Sequence, residues 1–216
     1  MQPTYPQDQA VTEDKATPSR PRPKPGERRV MILQALAAML DAPKPEKITT
    51  AALAARLDVS EAALYRHFAS KAKMYEGLIE FIEQALFGLV NQIVAKEPNG
   101  VLQARTIALT MLNFAAKNPG MTRVLTGEAL VGEDERLTER VEQMLKRIEA
   151  SIRQSLRLGA SDGSVATAPL PSDYDPAMRA SLVVSYVLGR WHRFAKSGFG
   201  KSPTEYADAQ LRLILQ

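Results

Sequence analysis

Apolar residues recur at intervals of three or four positions along most of this chain, the spacing of one helix face. The first such segment runs from Glu27 to Leu40 and is stopped by Pro43 and Pro45. Further helices are predicted at about 70–95, 101–117, 119–130, 133–158, 176–197 and 203–215. Because turn-breaking residues are rare between residues 27 and 158, the pattern predicts an all-α fold.

Residues 49–71 form the most informative stretch, since they predict two short helices joined by a tight turn. Thr49 and Thr50 are expected to cap the first helix. Its apolar stripe consists of Ala51, Leu53, Ala54 and Leu57. Asp58 tolerates the unusual backbone angles of a turn, and Ser60 is a good N-cap for the second helix. This capping and spacing predict a helix-turn-helix.

The second short helix leaves an unusual set of side chains on its outer face. Ala63 and Leu64 are expected to face the core, and Phe68 to be buried beyond them. The outer face then carries Glu61, Ala62, Tyr65, Arg66 and His67. Small residues followed by polar and aromatic ones suit a helix that enters the DNA major groove. The alternative is an ordinary helical hairpin whose polar residues are only solvated.

The first turn of this helix is expected to come closest to the bases. The methyl groups of Ala62 and Ala63 can touch a thymine methyl, and Glu61 can accept a hydrogen bond from a cytosine amino group. Ser60 would offer its hydroxyl, at the positive end of the helix, to a phosphate.

Other side chains are expected to contact the DNA backbone, which sets register without reading sequence. Tyr65 and His67 would donate to phosphates, while Thr49, Thr50 and Lys71 would grip phosphates on either side. For His67 a buried, hydrogen-bonded position is the alternative. Affinity for DNA should therefore fall steeply as salt rises.

Composition excludes several kinds of site. The 216 residues include no Cys, so disulfides and thiolate metal sites are excluded. The two histidines, His67 and His192, are too far apart to form a site together, and no Gly-rich phosphate loop is present. We therefore expect no enzyme, cofactor or metal. The N-terminus does not have the pattern of a signal peptide, and we expect no membrane anchor. A net charge of +4 and a pI near 9.3 permit nucleic-acid binding.

Three segments differ from the helical remainder. Residues 1–26 are rich in Pro and are predicted to be disordered. The basic end of this arm can lie along DNA or remain a solvated tail; it comprises Arg20, Arg22, Lys24, Arg28 and Arg29. Residues 159–175 are predicted to form a mobile loop. The charged helix at 133–158 is typical of a solvated face, with a coiled-coil-like helix as the alternative.

The helical pair shares a set of residues with a known family. They are Ile48-Thr49-Thr50, Ala54, Val59-Ser60, Leu64-Tyr65-Arg66-His67-Phe68 and Lys71. In these positions the chain resembles the TetR family of DNA-binding repressors. The resemblance implies a DNA-binding domain at 27–72, with the motif at about 49–68, and a C-terminal helical dimerisation and partner-binding domain at 73–216. It also implies a homodimer on palindromic double-stranded DNA, with assembly beyond the dimer left open.

Downstream segments narrow the resemblance to family members that act in nucleoid occlusion. These segments are LIEFIEQAL, NPGMTRVLTGEAL and RVEQMLKRIEASIRQ. The likeness implies a cytoplasmic, nucleoid-associated protein that binds the C-terminal tail of the cell-division protein FtsZ and antagonises its polymerisation. The tail groove would lie around Phe81, Lys117 and Asn118. Leu89 and Asn113 depart from the basic and the small residue that relatives carry there.

Two expectations remain for the larger helical part. A ligand-responsive repressor is the functional alternative, and it requires an internal apolar pocket. Its candidate lining, which can equally be plain core, is Met74, Phe81, Met111, Phe114 and Trp191. The resemblance places the dimer face on the last two helices. There the apolar stripe is Val183, Tyr186, Val187, Trp191 and Phe194, and Val187→Glu is expected to yield a monomer.

Overall fold

The computed structural model describes residues 26–43, 47–161 and 174–215, and all regular structure in these ranges is helical. The α-helices are α1 (Glu27–Leu40), α2 (Thr50–Arg56), α3 (Glu61–Tyr65), α4 (Lys71–Lys96), α5 (Gly100–Lys117), α6 (Pro119–Leu125), α7 (Glu135–Ser161), α8 (Pro176–Lys196) and α9 (Ala207–Ile214). A short 3₁₀ turn, Glu128–Leu130, lies between α6 and α7. The predicted all-α fold is confirmed.

Helices α1 to α3 pack into a small three-helix unit. Its core is made of Ile32, Leu36, Leu53, Leu64 and Phe68, all buried. Asp58 has a φ of 54°, so the turn between α2 and α3 has the left-handed backbone that the sequence predicts. Ala51 was expected in the apolar stripe of α2 but is exposed, because Leu53 and Ala54 alone face α1 and α3.

Helix α4 joins this unit to the larger helical part without a linker, since it runs unbroken through residues 72 and 73. Helix α6 also holds the two parts together by packing against α1. The backbone N–H of Gly120 donates to Asp41 Oδ1 at 2.5 Å. A Cβ at Gly120 would lie only 2.1 Å from the carbonyl oxygen of Ala37, so only glycine permits this approach.

The larger helical part is built around α5, which contacts α4, α7, α8 and α9. Trp191 of α8 is fully buried, and its indole N–H donates to the carbonyl oxygen of Met111 at 3.2 Å. Helix α7 buries one apolar stripe and turns its charges outward. Some of these charges pair with α4, because Arg140 lies 3.5 Å from Glu76 and from Glu83. The solvated-face interpretation of α7 therefore fits the structure with this addition.

Several predicted boundaries shift. The helix expected at 119–130 stops at Leu125, because Gly127 takes a φ of 75° before the 3₁₀ turn. Helix α7 continues to Ser161, so three residues assigned to the 159–175 loop are helical. Residues 203–206 form a turn, and α9 begins only at Ala207. The predicted disordered arm at 1–25 and most of the predicted loop (162–173) lie outside the described residues.

The predicted dimer stripe is wrong in its partner. Val183, Val187 and Trp191 are completely buried inside one chain, and Phe194 is 5% exposed. These four side chains pack against the chain's own helices, so they cannot also cover a second chain. The outward face of α8 carries different apolar residues, Met178 and Leu182, which are 58% and 52% exposed.

One described helix, α4, is long and apolar enough to cross a bilayer by length and composition. The expectation that no apolar run reaches this length is therefore wrong. Between Glu83 and Lys96 the helix carries no charged side chain. In this fold its apolar side packs against α1, α5 and α7, which is the setting of a core helix in a helical domain.

Candidate nucleic-acid interface and partner groove

Helix α3 presents the predicted side chains on one open face. Ser60 Oγ accepts a hydrogen bond from the backbone N–H of Ala63 at 3.2 Å, which caps the helix as predicted. Leu64 and Phe68 anchor the segment in the core. The exposed side chains are those of Glu61, Ala62, Tyr65, Arg66 and His67. Ala63 is half-buried rather than core, and the buried alternative for His67 is wrong because its side chain is exposed.

Thr49 and Thr50 have different roles. Thr49 Oγ1 accepts from the backbone N–H of Ala52 at 3.1 Å and caps α2. Thr50 does not cap; its hydroxyl donates to the Glu61 carboxylate and accepts from Tyr65 Oη at 3.4 Å. These bonds tie the start of α2 to α3. They hold the carboxylate and the phenol in place on the exposed surface.

Arg29 fixes the far end of α3. Its guanidinium donates to the carbonyl oxygen of His67 at 3.0 Å and stacks on the ring of Phe68, 4.1 Å from its centroid. Sequence reasoning placed Arg29 in a DNA-binding arm. No local pattern reveals this bond, because the two residues it joins are 38 positions apart.

Lys71 is engaged away from the exposed face of α3. Its ammonium pairs with the carboxylate of Glu133, in the loop before α7, and lies 5.7 Å from the ring centroid of Tyr75. Burial, followed by the nearby Glu133 carboxylate, raises the pKa of Tyr75 to about 12. Lys71 can reach a phosphate only by leaving Glu133 or by sharing its three donors between the two.

The predicted partner residues lie at one end of a surface depression. We call it the α4–α5 groove; it is lined by Phe81, Leu89 and Lys96 of α4 and by Thr106, Thr110 and Lys117 of α5. Phe81 is 38% exposed and shares a small apolar pocket with Val30 and Met121. Asn118 lies three residues before Met121, and its Nδ2 donates to the carbonyl oxygen of Phe114 at 2.7 Å. The structure thus brings Phe81, Lys117 and Asn118 to the same end of the groove.

The groove continues beyond the residues that sequence reasoning identified. A cavity of about 350 Å³ lies between α4 and α5, and its lining includes Leu89, Gln92, Ile93, Lys96, Thr106 and Thr110. The two departures from the family pattern also lie on this surface. Leu89 is 39% exposed, and Asn113 is exposed with its Nδ2 bonded to the carbonyl oxygen of Leu109 at 2.9 Å. The helical spacing of these residues is the signal that could have identified them.

The residues proposed for an internal ligand pocket do not line one. Met74, Met111 and Trp191 are buried in the core, Phe114 is half-buried, and Phe81 is exposed. A larger cleft of about 660 Å³ opens at the surface between α4 and α7, with Val94 and Leu158 on its walls. In the described ranges, no group of three or more His, Asp or Glu side chains is placed to hold a metal ion.

Two family models together match most of this chain. Residues 32–78 match the model described as bacterial regulatory proteins of the tetR family. Residues 99–216 match the SlmA-like model, described as a tetracyclin repressor-like C-terminal domain. The boundary between them falls within α4 and the connection that follows it.

Close relatives carry one name. The chain is 48% identical over 189 residues to the nucleoid occlusion factor SlmA of Idiomarina loihiensis, covering 88% of this chain and 94% of that protein. It is 45% identical over 191 residues to the protein of the same name from Alteromonas mediterranea, covering 88% and 95%.

Solved structures share the fold at much lower identity. The regulator FadR from Bacillus halodurans superposes with a TM-score of 0.71 at 13% identity, covering 88% of this chain and 95% of that one. FadR from Bacillus subtilis, solved with stearoyl-CoA, gives 0.69 at 11% identity, covering 87% and 97%. These likenesses show the fold alone.

Proposed function

The chain belongs to the nucleoid occlusion factor SlmA family within the TetR regulators, and we propose that it blocks septum formation over the nucleoid. It does so as a cytoplasmic, nucleoid-associated homodimer on palindromic DNA that binds the C-terminal tail of FtsZ and antagonises its polymerisation. The observation that carries the proposal is the presence of two separate exposed surfaces on one chain. One is the face of α3, and the other is the α4–α5 groove.

The α3 face supplies the DNA contacts in this proposal. Ala62 and the second oxygen of Glu61 face the base edges, while Tyr65 and His67 reach phosphates, because all four side chains are exposed on one short capped segment. Thr50 acts indirectly by holding Glu61 and Tyr65 in position. Lys71 contributes a phosphate contact once DNA competes with Glu133 for its ammonium.

The dimer forms through the outward face of α8. The exposed residues Met178, Leu182, Ser185 and Gly189 recur at helical spacing along this face. A Cβ at Gly189 would meet nothing within 4 Å, so packing inside the chain gives no reason for a glycine in the middle of this helix. A second copy of α8 supplies that reason, because a small residue allows two helix backbones to approach closely.

The tail of FtsZ occupies the α4–α5 groove. Exposed Phe81 and Leu89 offer apolar contacts, and Lys117 supplies a cation at the rim. The amide nitrogens of Asn113 and Asn118 are bonded to helix carbonyls, so their Oδ1 atoms are the groups that can accept bonds from a bound peptide. Apolar anchors with a polar rim are typical of peptide-binding grooves.

The proposal is tested by measuring two affinities on the same variants. The ligands are a fluorescent FtsZ tail peptide and a palindromic site selected from random DNA. Lys117→Glu should weaken the peptide about tenfold and leave DNA affinity within about twofold, because its charge reverses at the groove rim and not at α3. Lys146→Glu, at an exposed position on α7, is the control. Wild-type protein that binds the DNA but no tail peptide would contradict the proposal and favour a ligand-responsive repressor.

A further inference from the structure

Two rows of side chains face outward along the junction of α4 and α5. The row on α4 is Phe81, Ala85, Gly88, Gln92 and Lys96, and the row on α5 is Leu102, Thr106, Thr110, Asn113 and Lys117. Successive members are three or four positions apart, so each row occupies one face of its helix. Every member is exposed or half-buried. Both rows therefore remain open to a partner.

The two rows run in opposite directions. Helices α4 and α5 are joined by residues 97–99 only and pack side by side, as in an antiparallel helical hairpin. Phe81 and Lys117 consequently share one end of the α4–α5 groove, while Lys96 and Leu102 share the other. From Phe81 to Lys96 the groove is about 22 Å long at 1.5 Å per residue. An extended peptide of about seven residues spans this length.

Gly88 lies near the middle of the α4 row. A glycine in an exposed helix interior weakens the helix relative to alanine. Packing inside the chain does not require one here, since a Cβ at Gly88 would meet nothing within 4 Å. A bare backbone at this point does allow a bound peptide to lie close to α4. Gly88 is thus an independent sign that something approaches the middle of the groove.

The ends of the groove are cationic. Lys117 and Lys96 are both exposed, and within the described ranges neither forms an ion pair. One carboxylate, that of Glu97, also lines the far cavity. It accepts a hydrogen bond from the backbone N–H of Asn99 at 2.9 Å, within the connection between the helices. Between the two lysines the lining is apolar or neutral.

We propose that the α4–α5 groove is a full-length peptide site with two cationic ends, and that Lys96 is its second end. Its occupant is an extended segment of about seven residues with an apolar centre and an acidic residue near each end. The inference rests on the proposed function, since the segment belongs to the same FtsZ tail. It adds the length of the footprint, the second charge contact and the close approach at Gly88.

Charge reversal tests the second end. Lys96→Glu should weaken binding of a fluorescent FtsZ tail peptide about fivefold at low salt and less at high salt. Replacing one terminal acidic residue of the peptide by Lys should restore binding to Lys96→Glu, and replacing the other should not. The control Lys146→Glu should bind the unmodified peptide like the wild type.

Filling the middle of the groove provides a test that unfolding cannot imitate. Gly88→Leu should raise the melting temperature, because leucine favours a helix more than glycine does, and should still weaken the peptide about tenfold by occupying its path. Ala95→Leu is the matched control. Ala95 is exposed on the same helix but lines the cleft toward α7, so the variant should bind the peptide normally.

The outcomes separate this inference from the function on which it rests. If Lys96→Glu and Gly88→Leu bind like the wild type while Lys117→Glu is weakened, the peptide covers only the Phe81 end and the inference is wrong. If the wild type binds no tail peptide, both the inference and the proposed function are wrong.

Discussion

The three-helix unit and the larger helical part use exposed side chains in contrasting ways. In the three-helix unit, the exposed face of α3 is set by nearby residues: Ser60 caps the helix and Leu64 anchors it. In the larger part, a helix such as α8 carries two apolar stripes, and the packing of distant helices decides which one is buried. Function is therefore legible in local sequence at one end of the molecule and depends on tertiary packing at the other.

The strongest way to break this comparison is to charge the buried stripe of α8. Val187→Glu should destabilise the fold by about 4 kcal/mol or more, because it places an unpaired carboxylate in a fully buried position. Urea unfolding followed by circular dichroism measures this loss. A folded monomer with an unchanged urea midpoint would show instead that Val187 faces a second chain.

The same charge on the outward stripe should separate assembly from folding. Leu182→Glu should leave the urea midpoint nearly unchanged and produce a monomer in sedimentation. Its affinity for a palindromic site should fall about 100-fold or more, since a monomer reads one half-site without the gain of a linked second contact. Leu213→Glu, at a 70% exposed position on α9, is the control. A Leu182→Glu protein that sediments as a dimer would reject the α8 face.

The role of local capping is sharpened by the adjacent pair Thr49 and Thr50. Thr49→Ala should destabilise the protein by about 1 kcal/mol, because the N–H of Ala52 loses its cap. Thr50→Ala should change stability by less than about 0.5 kcal/mol, since it removes only exposed side-chain bonds. Equal losses from the two variants in urea unfolding would contradict the assignment of the cap to Thr49.

The junction between the two regions can be tested through Lys71. Glu133→Gln should raise DNA affinity about threefold, because it removes the carboxylate that competes for the ammonium. Lys71→Ala should weaken all sequences alike and reduce the slope of log affinity against log salt by about 0.9 per subunit. Glu61→Ala should instead change preference among sequences. Glu139→Gln on α7 is the control, and weaker DNA binding by Glu133→Gln would show that the carboxylate positions Lys71.

The smallest expected effect concerns Tyr75 at the same junction. Burial raises the pKa of Tyr75 to about 12, so the folded protein favours the neutral phenol. The resulting stability is fully present below pH 10 and is lost as pH rises from 10 to about 12. Over that range, the melting temperature of Tyr75→Phe should fall less steeply than that of the wild type. Parallel curves would show that the phenol does not contribute.

Much of the three-helix unit was predictable because its signals are short in range. Thr49, Asp58 and Ser60 act on residues within a few positions, so caps, turn and helix type could be derived from the sequence. Arg29 and Lys71 were misassigned, since their partners His67 and Glu133 are 38 and 62 positions away. Nothing in the local pattern distinguishes a solvated cation from one that joins two helices.

For the larger helical part, the sequence by itself determined where helices lie and which positions share a face. It predicted a buried stripe on α8, including Val187 and Trp191, without identifying what covers it. Tertiary structure decided that the cover is the chain's own α5, where Trp191 meets Met111 80 positions earlier. It also decided that α4 and α5 leave a groove open between Phe81 and Lys96. Helical periodicity specifies the direction of a side chain, but only the packing of distant helices determines whether that direction meets protein or solvent.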